Sequence, residues 1–157
     1  MARNEQVTEV LNDLIRINHD RIEGYERAVE DTRDKDVDLQ SIFHRMADES
    51  KQHAAELEKE VQKNGGDTAR DTTVSGKIYR VWMDIKSAVT GKARKSVLES
   101  CEFGEDAAQK AYEEALKADA NLPADLRQLI VNQKAALKTS HDTIKRYRDL
   151  HENRQSG

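Results

Sequence analysis

Along four long stretches of this chain, apolar residues recur at steps of three and four, the spacing that lines one face of an α-helix. The first seam, from Asn4 to Thr32, runs Val7, Leu11, Leu14, Ile22, Tyr25 and Ala28/Val29 before the charged stretch Arg33 to Asp36 breaks it. The second, from Asp38 to Asn64, carries Leu39, Ile42, Phe43, Met46, Leu57 and Val61. Gly65-Gly66 follows, and glycine supplies the left-handed backbone on which helices end. A third helix is predicted from Arg94 to Ala118, with Val97/Leu98, Cys101, Ala108, Tyr112 and Ala115/Leu116 inward. Asn121-Leu122-Pro123 then makes a turn, and the fourth helix runs from Pro123 to His151 on Leu126, Ile130, Leu137, Ile144 and Tyr147.

Residues 67–95 form a long connection. Asp67 to Gly76, rich in Thr, Asp and Gly, reads as loop. Ile78, Val81, Trp82, Ile85 and Val89 mark a short crossover helix over about residues 76–90, with Trp82 as a plug against the bundle. Two short links flanking one long crossover predict an all-α fold, a ferritin-like four-helix bundle occupying residues 1–157 as one domain. Tyr25-Glu26-Arg27-Ala28-Val29 echoes Tyr112-Glu113-Glu114-Ala115-Leu116, so the two helical hairpins read as two copies of one unit.

The seams are interrupted by polar residues near the middle of each helix: Asn18 in the first, Ser50 and His53 in the second, Glu105 in the third, Gln133 and His141 in the fourth. Mid-points of matched antiparallel helices meet at one level, so Asn18, Ser50, His53, Glu105 and His141 should converge in an interior layer. An ionised carboxylate there needs a partner, because an unpaired buried charge costs several kcal/mol. One solution is a metal ion held by His53, Glu105 and His141, with Glu102 and Cys101 as substitute ligands; two imidazoles and a carboxylate suit a single zinc or iron ion. The other is metal-free, with Lys138 pairing Glu105 or Glu102. A di-metal centre is disfavoured: the positions three before the histidines are Ser50 and Lys138, and Asn18 stands where a first-helix glutamate would bridge.

Composition supports long solvated helices, with 36% charged and 4% aromatic residues and one proline. The net charge of −4, with both signs interspersed, lacks the basic face of a nucleic-acid binder. No run approaches the roughly 20 apolar residues of a membrane span. The N-terminus lacks the apolar core of a signal peptide, and Cys101 is the only cysteine, so a cytoplasmic location is expected. Asp20 and Glu23 read as a solvated face, as do His19, His44 and His151. Tyr79, Ile17 and Val131 fall outside the inward seams, which makes a homodimer through an outer face an option.

Several short motifs carry a resemblance. Leu11-Asn12-Asp13-Leu14-Ile15, Gly24-Tyr25 and Gly65-Gly66 form its first half; Arg80-Val81-Trp82-Met83-Asp84, Cys101-Glu102-Phe103-Gly104-Glu105-Asp106, Tyr112, Leu122-Pro123 and His141-Asp142 form its second. Over nearly its whole length the chain resembles a bacterial four-helix-bundle family of unknown function within the ferritin-like clan. The resemblance implies the bundle and carries no reaction or substrate with it; at His53 the family pattern leads one to expect an apolar or aromatic residue. Two readings follow. The first is a non-catalytic structural or interaction module, associated with stress physiology. The second is a metal-binding protein or weak oxidoreductase using the degenerate site.

Overall fold

The structure, a computed structural model, describes residues 2–32, 37–70, 94–117 and 122–156. Four helices fill most of that range: α1 (Ala2–Thr32), α2 (Val37–Lys63), α3 (Arg94–Lys117) and α4 (Ala124–Ser156). Their bounds follow the apolar seams to within a few residues, save that α4 runs past His151. The expected crossover helix, with Trp82 and Tyr79, lies outside the described residues.

Side-chain pairs fix the directions. On α1 and α2, Arg21 meets Ser50 while Val29 meets Gln40. On α1 and α3, Asn18 meets Tyr112 while Arg21 meets Glu105. On α3 and α4, Asp106 meets His141 while Leu116 meets Arg127. On α2 and α4, Glu56 meets Gln133 while Glu49 meets Ser140. In every pair one number rises as the other falls, so each helix is antiparallel to both of its neighbours. The order is therefore up, down, down, up. α2 ends and α3 begins at opposite ends of the bundle, which is why the link between them must be long.

The inward seams bury Leu11, Leu14, Tyr25, Leu39, Phe43, Leu57, Leu98, Tyr112, Ile130, Leu137 and Ile144 in one continuous core. The Tyr25 and Phe43 rings stack tilted at 5.7 Å. Ile22 is only half-buried; Arg21 takes its place on the core side of α1. Two other readings of the sequence need correction: Ile17 and Asp20, expected on outer faces, are both buried. Among the described residues no helix is long and apolar enough to cross a membrane.

Local chemistry explains the helix ends. Gly65 sits at φ +76°, the Gly65 amide donates to the Gln62 carbonyl, and the Gly66 amide reaches back to Val61. This pair of bonds satisfies carbonyls that the last turn of α2 leaves open. A Cβ on Gly66 would stand 2.7 Å from the Thr8 side chain, so the chain leaves α2 pressed onto α1. Asn12 holds it there, donating to the Asp67 carbonyl at 3.0 Å and accepting from the Ala69 amide at 2.8 Å. At the other turn the Pro123 carbonyl accepts the Arg127 amide at 2.9 Å, so Pro123 caps α4 from just outside it. Replacing Gly65 with alanine forces a side chain into the left-handed region and is expected to cost about 1–2 kcal/mol in urea unfolding. An unchanged midpoint would show that the turn can adopt another conformation.

Candidate functional site in the polar core layer

Arg21 is the residue that organises the mid-bundle layer, and it is fully buried. Its Nε donates to Glu105 Oε1 at 2.6 Å across the α1–α3 interface, and its Nη1 donates to Ser50 Oγ on α2. The same Nη1 lies 3.3 Å from Glu49 Oε1, and its guanidinium carbon stands 5.4 Å from the centre of the Tyr25 ring. A planar guanidinium with five donors can address several helices at once, which a lysine ammonium on α4 could not do with the same geometry.

Glu105 is equally buried. Burial pushes its carboxyl up, and the Arg21 charge and hydrogen bond pull it back; the Tyr25 hydroxyl, turned toward the same carboxylate, also favours the ionised form. Desolvation pushes the Tyr25 hydroxyl up, and the neighbouring carboxylate adds to that, so the phenol stays neutral.

A second strand of the network crosses all four helices. Asn18 Nδ2 donates to the Leu14 carbonyl and to Tyr112 Oη, both at 2.9 Å. Tyr112 Oη in turn donates to Gln133 Oε1 at 2.7 Å. Gln133 Nε2 then reaches the His53 carbonyl at 3.2 Å and Glu56 Oε1 at 3.0 Å. Near the other side Ser140 Oγ donates to Glu49 Oε1 at 2.9 Å.

The repeated Tyr-x-x-Ala segments make physical sense here. An offset of 87 residues relates Tyr25 to Tyr112, and the same offset relates Asn18 to Glu105. Thus Asn18 with Tyr25 and Glu105 with Tyr112 occupy equivalent places in the two halves of one pseudo-symmetric arrangement. The halves differ where charge demands it. One carries Glu105, so one carries Arg21, whose counterpart by the same offset is the small, buried Ala108.

The residues expected from the sequence fall into two groups. Asn18, Ser50, His53 and Glu105 are buried in the core, with Ser50 and Glu105 bonded directly to Arg21. His53 feels Arg21 from nearby: burial first, then that positive charge, pulls its imidazole down to about 4. His141 is partly exposed and belongs to a different group, with Nε2 2.7 Å from Asp106 Oδ1 and Nδ1 3.2 Å from Asp142 Oδ1. Among the described residues, the three whose donor atoms gather within 4.8 Å are Glu102, Asp106 and His141; His53 and Glu105 are not part of that set. Lys138 is exposed and pairs with Asp142 at 3.7 Å, because Leu137, Ser140 and Ile144 take the inward face of α4. Arg21 serves Glu105 instead, and Arg148 serves Glu102. Cys101 is buried with its thiol pushed up by desolvation, so it packs as a small apolar group.

Arg21 was missed because arginine reads as a surface residue, and Ile22 beside it completes the apolar spacing. The available signal was its position three after Asn18 and four before Tyr25, on the same side of α1. What this layer does chemically is neutralise and orient. Among the described residues, Arg21 Nη2, Asn18 Oδ1, His53 Nδ1 and Glu105 Oε2 have no hydrogen-bond partner, which costs about 1–3 kcal/mol for each buried group of this kind.

His53 makes the layer pH-sensitive. The unfolded imidazole takes up a proton near 6.5, whereas the folded one resists until about 4. Between those values the unfolded state binds more protons, so stability is complete above about pH 6.5 and is lost as pH falls toward 4. The expected slope approaches about 1.4 kcal/mol per pH unit inside that window. Urea unfolding at several pH values should show His53→Gln flattening this component of the slope; an identical slope in the variant would assign the titration elsewhere.

A family model described as Domain of unknown function (DUF2383) matches residues 6–118, which span α1, α2 and α3 and so include Asn18, Arg21, Ser50, His53 and Glu105. No curated protein matches the chain at a significant level. With well over half of its length covered by that model, the chain belongs to the DUF2383 family, an all-helical domain of unknown function.

Proposed function

We propose that this protein is a non-catalytic ferritin-like bundle, a structural or interaction module whose interior is closed by an ion pair. The order up, down, down, up supports the ferritin-like reading, since it is the order that one long crossover produces. The observation that carries the functional reading is the 2.6 Å contact between Arg21 Nε and Glu105 Oε1, with both side chains fully buried. In ferritin-like oxidases the mid-bundle level is filled with carboxylates that bridge two metal ions. Here the fully buried carboxylate at that level, Glu105, already holds a permanent cation. A metal ion at Glu105 would have to sit beside the Arg21 charge or displace a fully buried guanidinium. The His53 imidazole, neutral at pH 7, adds no second anionic ligand.

Such a layer suits specificity more than stability. Antiparallel helices with apolar seams can slide by a turn, and a buried charge pair tolerates only the register in which both partners meet. A rigid bundle with solvated outer faces is then available as a scaffold or docking unit.

The oxidase alternative is tested by adding iron(II) to metal-free protein in air and following its oxidation. The expected rate equals that in protein-free buffer, and Glu105→Gln leaves it unchanged. A fast phase present in the wild-type protein and lost in Glu105→Gln would overturn the proposal.

A further inference from the structure

Away from the core layer, α3 and α4 build a second polar group. Glu102 and Asp106 lie four residues apart on one side of α3, and His141 faces them from α4. One donor atom from each comes within 4.8 Å of the other two. Glu102 and His141 are half-buried and Asp106 is open to solvent, so the group is reachable from outside.

Two features of this group suit a cation. The first is the imidazole. His141 Nδ1 faces Asp142 Oδ1 at 3.2 Å and Nε2 faces Asp106 Oδ1 at 2.7 Å. A neutral imidazole has one N–H, so only one nitrogen can donate; the other then points a lone pair at a carboxylate oxygen. That arrangement needs either a second proton or a cation seated between the nitrogen and the carboxylate. The second feature is the pair of carboxylates: Glu102 and Asp106 stand one helical turn apart, and each offers an oxygen within 4.8 Å of the imidazole, with Arg148 on Glu102 and Lys138 on Asp142.

We propose that Glu102, Asp106 and His141 form a binding site for one divalent cation of the zinc class, placed between α3 and α4. His141 would ligate through Nε2, with Asp142 accepting the Nδ1 proton and so fixing the tautomer, as carboxylates do behind metal-bound histidines. Arg148 holds Glu102 Oε2, leaving Oε1 for the ion. One imidazole nitrogen and two carboxylate oxygens, completed by water, suit zinc better than calcium or magnesium, which prefer all-oxygen shells. The site is separate from the Arg21–Glu105 pair and does not depend on the function proposed for it.

Zinc titration of the metal-free full-length chain at pH 7.5, read by isothermal calorimetry and thermal melting, tests the proposal. One zinc should bind per chain and raise the melting temperature. Asp106→Asn and His141→Ala, both at accessible positions, should weaken binding at least tenfold, Asp142→Asn about tenfold, and His53→Gln should leave it unchanged. NMR of the imidazole should show zinc on His141 Nε2 with Nδ1 still protonated. No binding, with His141 doubly protonated by the same NMR measurement, would overturn the proposal in favour of a proton as the missing charge. Binding that survives the Asp106→Asn/His141→Ala double variant would overturn it in favour of adventitious surface zinc.

Discussion

A carboxylate placed in the middle of a four-helix core has to be neutralised where it sits, since water is not available to do it. Glu105 is such a carboxylate, and Arg21 is its answer. The guanidinium spans the interface from α1 to α3, reaches Ser50 on α2, and lies against the Tyr25 ring. Three helices are thereby held to one level by a single side chain. The fourth joins through Gln133, which connects Tyr112 on α3 with the α2 backbone at His53. The register of the whole bundle therefore rests on a polar contact that an apolar seam alone would not specify.

The same constraint explains the asymmetry between the two hairpins. Their echo preserves the tyrosines at 25 and 112; Tyr112 accepts from Asn18 of the partner hairpin, and the Tyr25 ring lies beside Arg21. Where one hairpin has Asn18, neutral and donating through Nδ2 to a helix carbonyl and a phenol, no counter-ion is needed. Where the other has Glu105, a cation is, and Ala108 marks the place where a second arginine would have been superfluous. Charge also separates the two polar groups of the molecule. The inner one is neutralised by Arg21 in the core, whereas the outer one gathers Glu102, Asp106 and Asp142 around a partly exposed His141.

Much of the fold was legible because helix burial repeats with a short period, so Leu11, Leu14, Leu39, Phe43, Leu98, Ile130 and Leu137 announce their faces. The interior polar layer was legible too, as breaks in those seams at Asn18, Ser50, His53 and Glu105. Its chemistry was less so. Lys138 and Arg21 are both long cations one turn from a layer residue, and periodicity does not say which faces in; that is decided by helix rotation, with Leu137 and Ile144 turning Lys138 outward. His141 shows the same limit: four residues after Leu137, it stands at the edge of the inward face of α4 and turns to Asp106 on α3. Asp20 and Ile17 are buried on the side of α1 away from its main seam, where an amphipathic pattern predicts solvent.

The most direct test is a double-mutant cycle on the core pair, by urea unfolding of Arg21→Met, Glu105→Leu and the combined variant. Removing Arg21 alone strands a buried carboxylate and should cost about 3–5 kcal/mol, and removing Glu105 alone strands a buried guanidinium at similar cost. The combined variant should recover to near the wild-type value or above it, because two apolar side chains then fill the gap. Additive losses, with the double variant the least stable of the three, would mean that Arg21 and Glu105 act separately and that the layer does not hang on their pairing.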